Sequence, residues 1–198
     1  GYPLLLSWVQ ALGATSLWGP RFLQLGMGLL TTALLIHLGR RLGGSERPWF
    51  GVVAGAVYTF YPSTLLFELD LLTPAVTGLL SVVLLLLVTP KASSWHFGLA
   101  GCLAGLASAI HPSFLIVFMA IAVVAWLYAD GKWAGVGWSM VGLFLGLMPI
   151  TQANIDQFGK FQVTSNNAGI NFYMGNNPDW KRTAFLRPGL AFRQMALE

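Results

Sequence analysis

The chain has 198 residues, 56% hydrophobic and only 9% charged, with a net charge of +4 and a mean hydropathy of +0.67. Soluble domains carry about 25% charged residues, so this composition excludes an ordinary soluble domain and points to an integral membrane protein. The Lys and Arg residues are scattered through short loops and form no clustered basic face, which excludes a nucleic-acid partner; the single cysteine, Cys102, excludes a disulfide framework or a thiolate metal site.

The chain opens at Gly1 without a basic leader region, and is expected to be processed or to be an excerpt of a longer protein. Tyr2–Leu12 is too short to span a bilayer; with Trp8 and Trp18 nearby it is expected to lie in the membrane interface. Uncharged runs follow at Phe22–Gly39, Pro48–Phe67, Leu71–Pro90, Ala92–Ala129 and Trp133–Ile155. A spanning helix needs about 20 mostly apolar residues. The run from Ala92 is long enough for two, and "HPS" (His111–Ser113) divides it, because proline disfavours helix in the residue before it. The reading is therefore six crossings, near 22–39, 48–64, 71–89, 95–110, 113–129 and 133–151.

The connecting loops alternate in charge. One set holds Arg40, Arg41, Arg47, Lys91 and Lys132; the other holds Arg21 alone among Lys and Arg, with Glu68, Asp70 and His111. The positive-inside rule assigns the first set to the cytoplasm. The second set, and the tail after Ile150, then face outward. Two regions result: a transmembrane helical region, 1–151, and an extracytoplasmic segment, 152–198.

Ionisable groups near the apolar band default to functional candidates. Glu68 and Asp70 in "FELDLLTP" are either solvated acids in a turn or groups that take a proton from an acceptor hydroxyl or hold a cation at a phosphate. As residues i and i+2 they share a side only if the segment is extended. His111 either caps the last carbonyls of its helix or meets an anionic head group. The three histidines His37, His96 and His111 are isolated and form no metal-ligand pair. Glycines recur in "GLAGCLAGLA" and "GLFLG", where small residues let helices approach closely in lipid.

The tail is amide-rich. In "FQVTSNNAGINFYMGNNPDW" the first five residues alternate as a short strand does, and "GNNP" is a turn signal. Asn166, Asn167, Asn171, Asn176 and Asn177 with Phe172, Tyr173 and Trp180 are either a structured outer loop or a sugar- or lipid-phosphate-binding wall, with hydrogen bonds from the amides and stacking on the rings.

Taken together, "GPRFLQLGMGLLTTALLIHLGRRLGG", "YPSTLLFELDLLTPA", "GLAGCLAGLASAIHPSFLI" and "MPITQANIDQFGKFQVTSNNAGINFYMGNNP" resemble bacterial GT-C glycosyltransferases of the dolichyl-phosphate-mannose–protein mannosyltransferase type (family 39-like), over nearly the whole chain. The last stretch is the most specific. The resemblance implies an all-α polytopic bundle with about six transmembrane helices. It also implies an enzyme that moves a sugar from a polyprenyl-phosphate donor to a protein, lipid or glycan acceptor on the outer face of the bacterial inner membrane. It makes Glu68 and Asp70 accessory acids. It makes Asn171, Tyr173, Asn176 and Asn177, which match the family's stretch, substrate-binding, and for sugar transfer His111 and Lys160 are expected to offer charge to the phosphate. In that family the principal catalytic Asp lies in the first outer loop, a segment expected to precede Gly1. His111–Pro112 stands where the family has Arg-Pro, and Ala153–Asn154 where it has Arg-Asn. No cofactor is implied for certain, and participation of a divalent ion is left open. Two other readings stay open: a non-catalytic membrane-embedded subunit on the same scaffold, working with other membrane subunits, and a lipid-handling or transport protein.

Overall fold

The computed structural model describes residues 2–11, 18–69, 73–88, 92–159 and 161–163. Every element among them is an α-helix: α1 (Tyr2–Ala11), α2 (Trp18–Gly43), α3 (Trp49–Phe60), α4 (Pro62–Leu69), α5 (Pro74–Leu87), α6 (Ser94–Ala107), α7 (Phe114–Tyr128) and α8 (Lys132–Phe158).

Helices α2 and α8, of 26 and 27 residues, are about 40 Å long at 1.5 Å per residue. Each is long and apolar enough to cross a membrane. A core helix of a soluble protein would be buried over most of its length. Here only 22% of the apolar window of α2 and 28% of that of α8 is buried. Large apolar side chains along the helices follow the same pattern: Leu29 and Ile116 are 70% exposed, Met119 67% and Phe144 66%. The other helices at expected crossings, α3, α5, α6 and α7, have 12 to 15 residues, about 18–23 Å of rise.

The expected crossing at 48–64 is two helices. Tyr61 is extended (φ −71°, ψ 117°) between α3 and α4, because the ring of Pro62 disfavours the helical region for the residue before it. The same physics ends α6: residues 108–110 form turns, and α7 starts two residues after Pro112. The last helix runs beyond the expected crossing at 133–151. Helix α8 runs through the internal Pro149 to Phe158. It stops where Gly159 adopts φ +64°, with its N–H on the carbonyl of Ile155 at 2.8 Å. That left-handed position suits glycine. Phe161–Val163, the described part of the expected strand, is irregular.

Two packing contacts set the directions of the helices. In α6 and α8, Gly101 lies against Ser139 and Gly105 against Gly146, so the two run parallel. Their backbones touch: a Cβ added at Gly142 would meet the carbonyl oxygen of Gly98, and one at Gly101 that of Ser139. Such an approach is open only to glycine and favours Cα–H···O contacts. Helices α2 and α3 are antiparallel. The hydroxyls of Thr32 and Thr59 are 2.9 Å apart, while further along Gly51 meets Ile36. Helix α7 completes the second half. Phe114, Phe118, Ile121 and Ala125 form one buried stripe at helical spacing against Phe97, Ala100 and Ala104 of α6.

Buried hydroxyls bond to their own helices: Thr31 Oγ1 to Met27 O (2.8 Å), Ser108 Oγ to Gly105 O (2.6 Å) and Ser139 Oγ to Val136 O (2.8 Å). This removes the cost of carrying a hydroxyl in an apolar core.

Candidate functional site

The bundle is chemically polarised. At one end, Arg40 and Arg41 close α2 and Arg47 precedes α3. The Arg47 guanidinium lies 5.6 Å from the Phe50 ring. Lys132 opens α8, with its ammonium 5.8 Å from the Trp126 ring. Trp126 packs edge-to-face on Trp133 with centroids 4.5 Å apart, and Trp95 stacks on His96 at 3.9 Å. His96 Nδ1 also pairs with Ser93 Oγ at 2.9 Å, which occupies this histidine at the start of α6.

The other end is built on α4. Among the described residues, Arg21 is the one Lys or Arg there. It sits in the first turn of α2 with its guanidinium 5.3 Å from the Trp18 ring. Its Nε donates to the carbonyl of Leu69, the last residue of α4, at 3.2 Å. A cation at a helix C-terminus is favoured by the free carbonyls and the helix dipole. The bond ties the start of α2 to the segment carrying Glu68 and Asp70. Glu68 lies in the last turn of α4, so its backbone is helical rather than extended; Asp70 lies outside the described residues.

A cavity of about 170 Å³ lies between α3, α4 and α5, lined by Tyr58 of α3, Thr64 and Phe67 of α4, and Pro74 and Ala75 of α5. Thr64 and Phe67 are three residues apart and face it together, as i, i+3 pairs on a helix do. Gly78, one turn beyond Pro74, leaves space for the Tyr58 hydroxyl: a Cβ there would stand 3.2 Å from Oη. The cavity is thus mainly apolar, with two hydroxyl-bearing residues in its wall and a guanidinium held at the end of the helix that forms one side.

His111 lies in the short connection between α6 and α7 and is exposed. Its Nδ1 is 2.7 Å from Ser113 Oγ and 3.4 Å from the Ser113 backbone N–H. The ring therefore serves the start of α7, correcting the alternative in which it caps the last carbonyls of α6. With Nδ1 accepting from the Ser113 N–H, Nε2 is the nitrogen that carries a proton outward.

At the exit of α8, Asn154 Nδ2 donates to the carbonyl of Gln162 at 2.8 Å. Gln152 Nε2 donates to Asp156 Oδ1 at 2.9 Å. The first bond folds the chain after Gly159 back along the helix. Lys160, Asn171, Tyr173, Asn176 and Asn177 lie outside the described residues, as does the remainder of the amide-rich tail.

Sequence reasoning singled out neither Arg21 nor the cavity. Arg21 was legible as the lone cation among the outer loops, but its partner is a backbone carbonyl 48 residues away, and no side-chain pattern marks a carbonyl. Among the described residues no cluster of His, Cys, Asp or Glu has the makings of a metal site. The comparisons return no match: no family model, no curated protein and no solved structure is similar to this chain at a significant level.

Proposed function

We propose that the chain is the membrane-embedded part of a glycosyltransferase of the GT-C kind. Its six crossings pass through the bacterial inner membrane, and its α4 end and amide-rich tail face the periplasm. The sugar comes from a polyprenyl-phosphate donor and goes to a hydroxyl of a protein, lipid or glycan. The observation that carries this reading is the docking of Arg21 on the C-terminus of α4, the helix that carries Glu68 and, through Thr64 and Phe67, lines an apolar cavity. The quoted sequence resemblance and the opposite, tryptophan-rich basic end support it.

The chemistry requires two kinds of group at one place. An acid-derived base takes the proton of the acceptor hydroxyl. The acceptor oxygen then bonds to the anomeric carbon from the face opposite the phosphate. The carbon–oxygen bond to phosphate breaks, and the lipid phosphate leaves with the electron pair. Cations or hydrogen-bond donors stabilise that leaving group. Glu68 and Asp70 supply carboxylates that assist the principal acid or position the acceptor. Arg21 supplies a planar donor suited to phosphate, and His111 Nε2 a second donor at the same end. Lys160 and the wall formed by Asn171, Tyr173, Asn176 and Asn177 would bind phosphate and sugar.

The test is transfer of a labelled sugar from a polyprenyl-phosphate donor by the full-length protein in proteoliposomes. The reading expects turnover, with a marked loss on Glu68→Gln and Asp70→Asn. Unchanged turnover in both variants would remove the acids from the mechanism. Lipid binding without any transfer would identify a non-catalytic subunit on this scaffold.

A further inference from the structure

We infer that the cavity between α3, α4 and α5 is a binding site for a small neutral molecule: a compact ring that carries one hydroxyl. The inference goes beyond sugar transfer and does not rest on it. The site holds neither a phosphate nor a sugar, and it needs no charged group.

The wall decides the charge of the ligand. The described residues that line the cavity are Tyr58, Thr64, Phe67, Pro74 and Ala75, none of them charged. An ion placed against such a wall would lose its hydration without gaining a partner, so the ligand is neutral. Volume decides its size. An apolar cavity of about 150 Å³ holds benzene, so about 170 Å³ admits a ring with one small substituent, on the order of eight heavy atoms. A hexose or an extended acyl chain is too large. The Tyr58 and Phe67 rings offer faces and edges on which a second ring packs well. Tyr58 is braced by α5: a Cβ at Gly78 would stand 3.2 Å from its Oη.

The wall also carries a hydroxyl that its own helix does not use. On α3 and α5 the hydroxyls are taken up locally. Thr59 Oγ1 donates to Gly55 O at 2.8 Å, Thr77 Oγ1 to Pro74 O at 3.1 Å and Ser81 Oγ to Thr77 O at 2.7 Å. Thr64 on α4 differs: its Oγ1 makes no hydrogen bond to a described residue. The break before α4 explains this. The carbonyl of Tyr61, three residues back, already takes the Thr64 N–H at 3.0 Å. The carbonyl of Phe60, four back, belongs to α3, across the extended Tyr61. A hydroxyl both donates and accepts, so Thr64 can pair with a ligand hydroxyl in either sense.

Methyl NMR of the full chain in a nonionic detergent, with labelled Ala and Thr methyls, tests this. The probes are benzyl alcohol, ethylbenzene and benzylammonium, which match in size and differ in polarity and charge. Ala75 and Thr64 report the site; Ala125, buried on α7, reports general partition into the protein. Both neutral probes are expected to shift Ala75 saturably, and benzylammonium to leave it in place. Thr64→Val keeps the shape and removes the hydroxyl. It is expected to weaken benzyl alcohol about fivefold and to leave ethylbenzene within about twofold. Thr64→Ser is expected to bind the alcohol as the unsubstituted chain does. Ala75→Leu, which fills the cavity, is expected to weaken both neutral probes about tenfold or more, read at Thr64; Ala75→Val does so by less and guards against misfolding of the larger variant. The absence of a saturable shift at Ala75 would overturn the assignment. So would equal shifts at Ala125, equal binding of benzylammonium, or alcohol binding that Thr64→Val leaves unchanged.

Discussion

Arg21 Nε and the carbonyl oxygen of Leu69 are 3.2 Å apart, joining the first turn of α2 to the last residue of α4 across 48 positions of sequence. Helix α4 has only eight residues and is too short to be stable by itself, so contacts of this kind hold it. Replacing Arg21 by Ala is expected to destabilise α4 locally by about 1 kcal/mol, the scale of one partly exposed hydrogen bond. Hydrogen exchange of the amides of Thr64–Leu69 would show this as faster exchange confined to that segment. Unchanged protection would mean that Trp18 and the packing of α4 on α5 hold the helix without Arg21.

The α6–α8 contact admits no side chain at its centre. A Cβ at Gly142 would meet the Gly98 carbonyl, so Gly142→Leu is expected to force the helices apart and destabilise the bundle by about 2–3 kcal/mol. Gly137 of the same helix has nothing within 4 Å of its added Cβ, and Gly137→Ala is expected to change stability by less than about 0.5 kcal/mol. Thermal unfolding in detergent, comparing the two variants, reads the difference directly. Equal melting temperatures would refute backbone contact at Gly142.

His111 is held through Nδ1 by Ser113, so the proposed function assigns its Nε2 to the donor phosphate. His111→Ala is expected to lower transfer from the lipid donor. His111→Arg is expected to retain it, because an arginine supplies two donors and a permanent charge. Transfer kinetics of the two variants decide the matter; equal loss in both would assign His111 to the architecture of the α6–α7 turn.

The exit from α8 depends on Gly159 at φ +64° and on the Asn154–Gln162 bond of 2.8 Å. Gly159→Val costs about 1–2 kcal/mol of local strain, and Asn154→Ala removes a bond worth about 1 kcal/mol. Both are expected to make the chain after Phe158 more sensitive to limited proteolysis while leaving the melting temperature of the bundle within a few degrees. Cleavage unaffected in either variant would show that other contacts set this exit.

Much of the helix pattern was legible because it follows from run length and punctuation. The starts and ends of α5, α6 and α7 lie within a few residues of the expected spans, since charged residues bound the uncharged runs and the His111–Pro112 pair divides the longest of them. Tyr61–Pro62 carried the same signal but lay inside an uncharged run that already satisfied the length of a crossing, so one span was expected where α3 and α4 stand. The crossing expected at 133–151 did not mark the end of α8, because the helix passes through Pro149 and stops only at Gly159. For the site, polarity of the bundle ends was readable from the scatter of Lys and Arg. The Arg21–Leu69 contact and the α3–α4–α5 cavity were not, because they depend on which helices pack, and backbone carbonyls and empty volumes leave no trace in side-chain spacing.

The most direct test of the central claim is sugar transfer from a labelled polyprenyl-phosphate donor by the full-length protein in proteoliposomes, measured for the unsubstituted protein, Arg21→Gln and Glu68→Gln. The account predicts turnover by the first and a loss of about tenfold or more in both variants, matching the scale of one phosphate-binding or proton-transfer group. Turnover by all three at the same rate would contradict it.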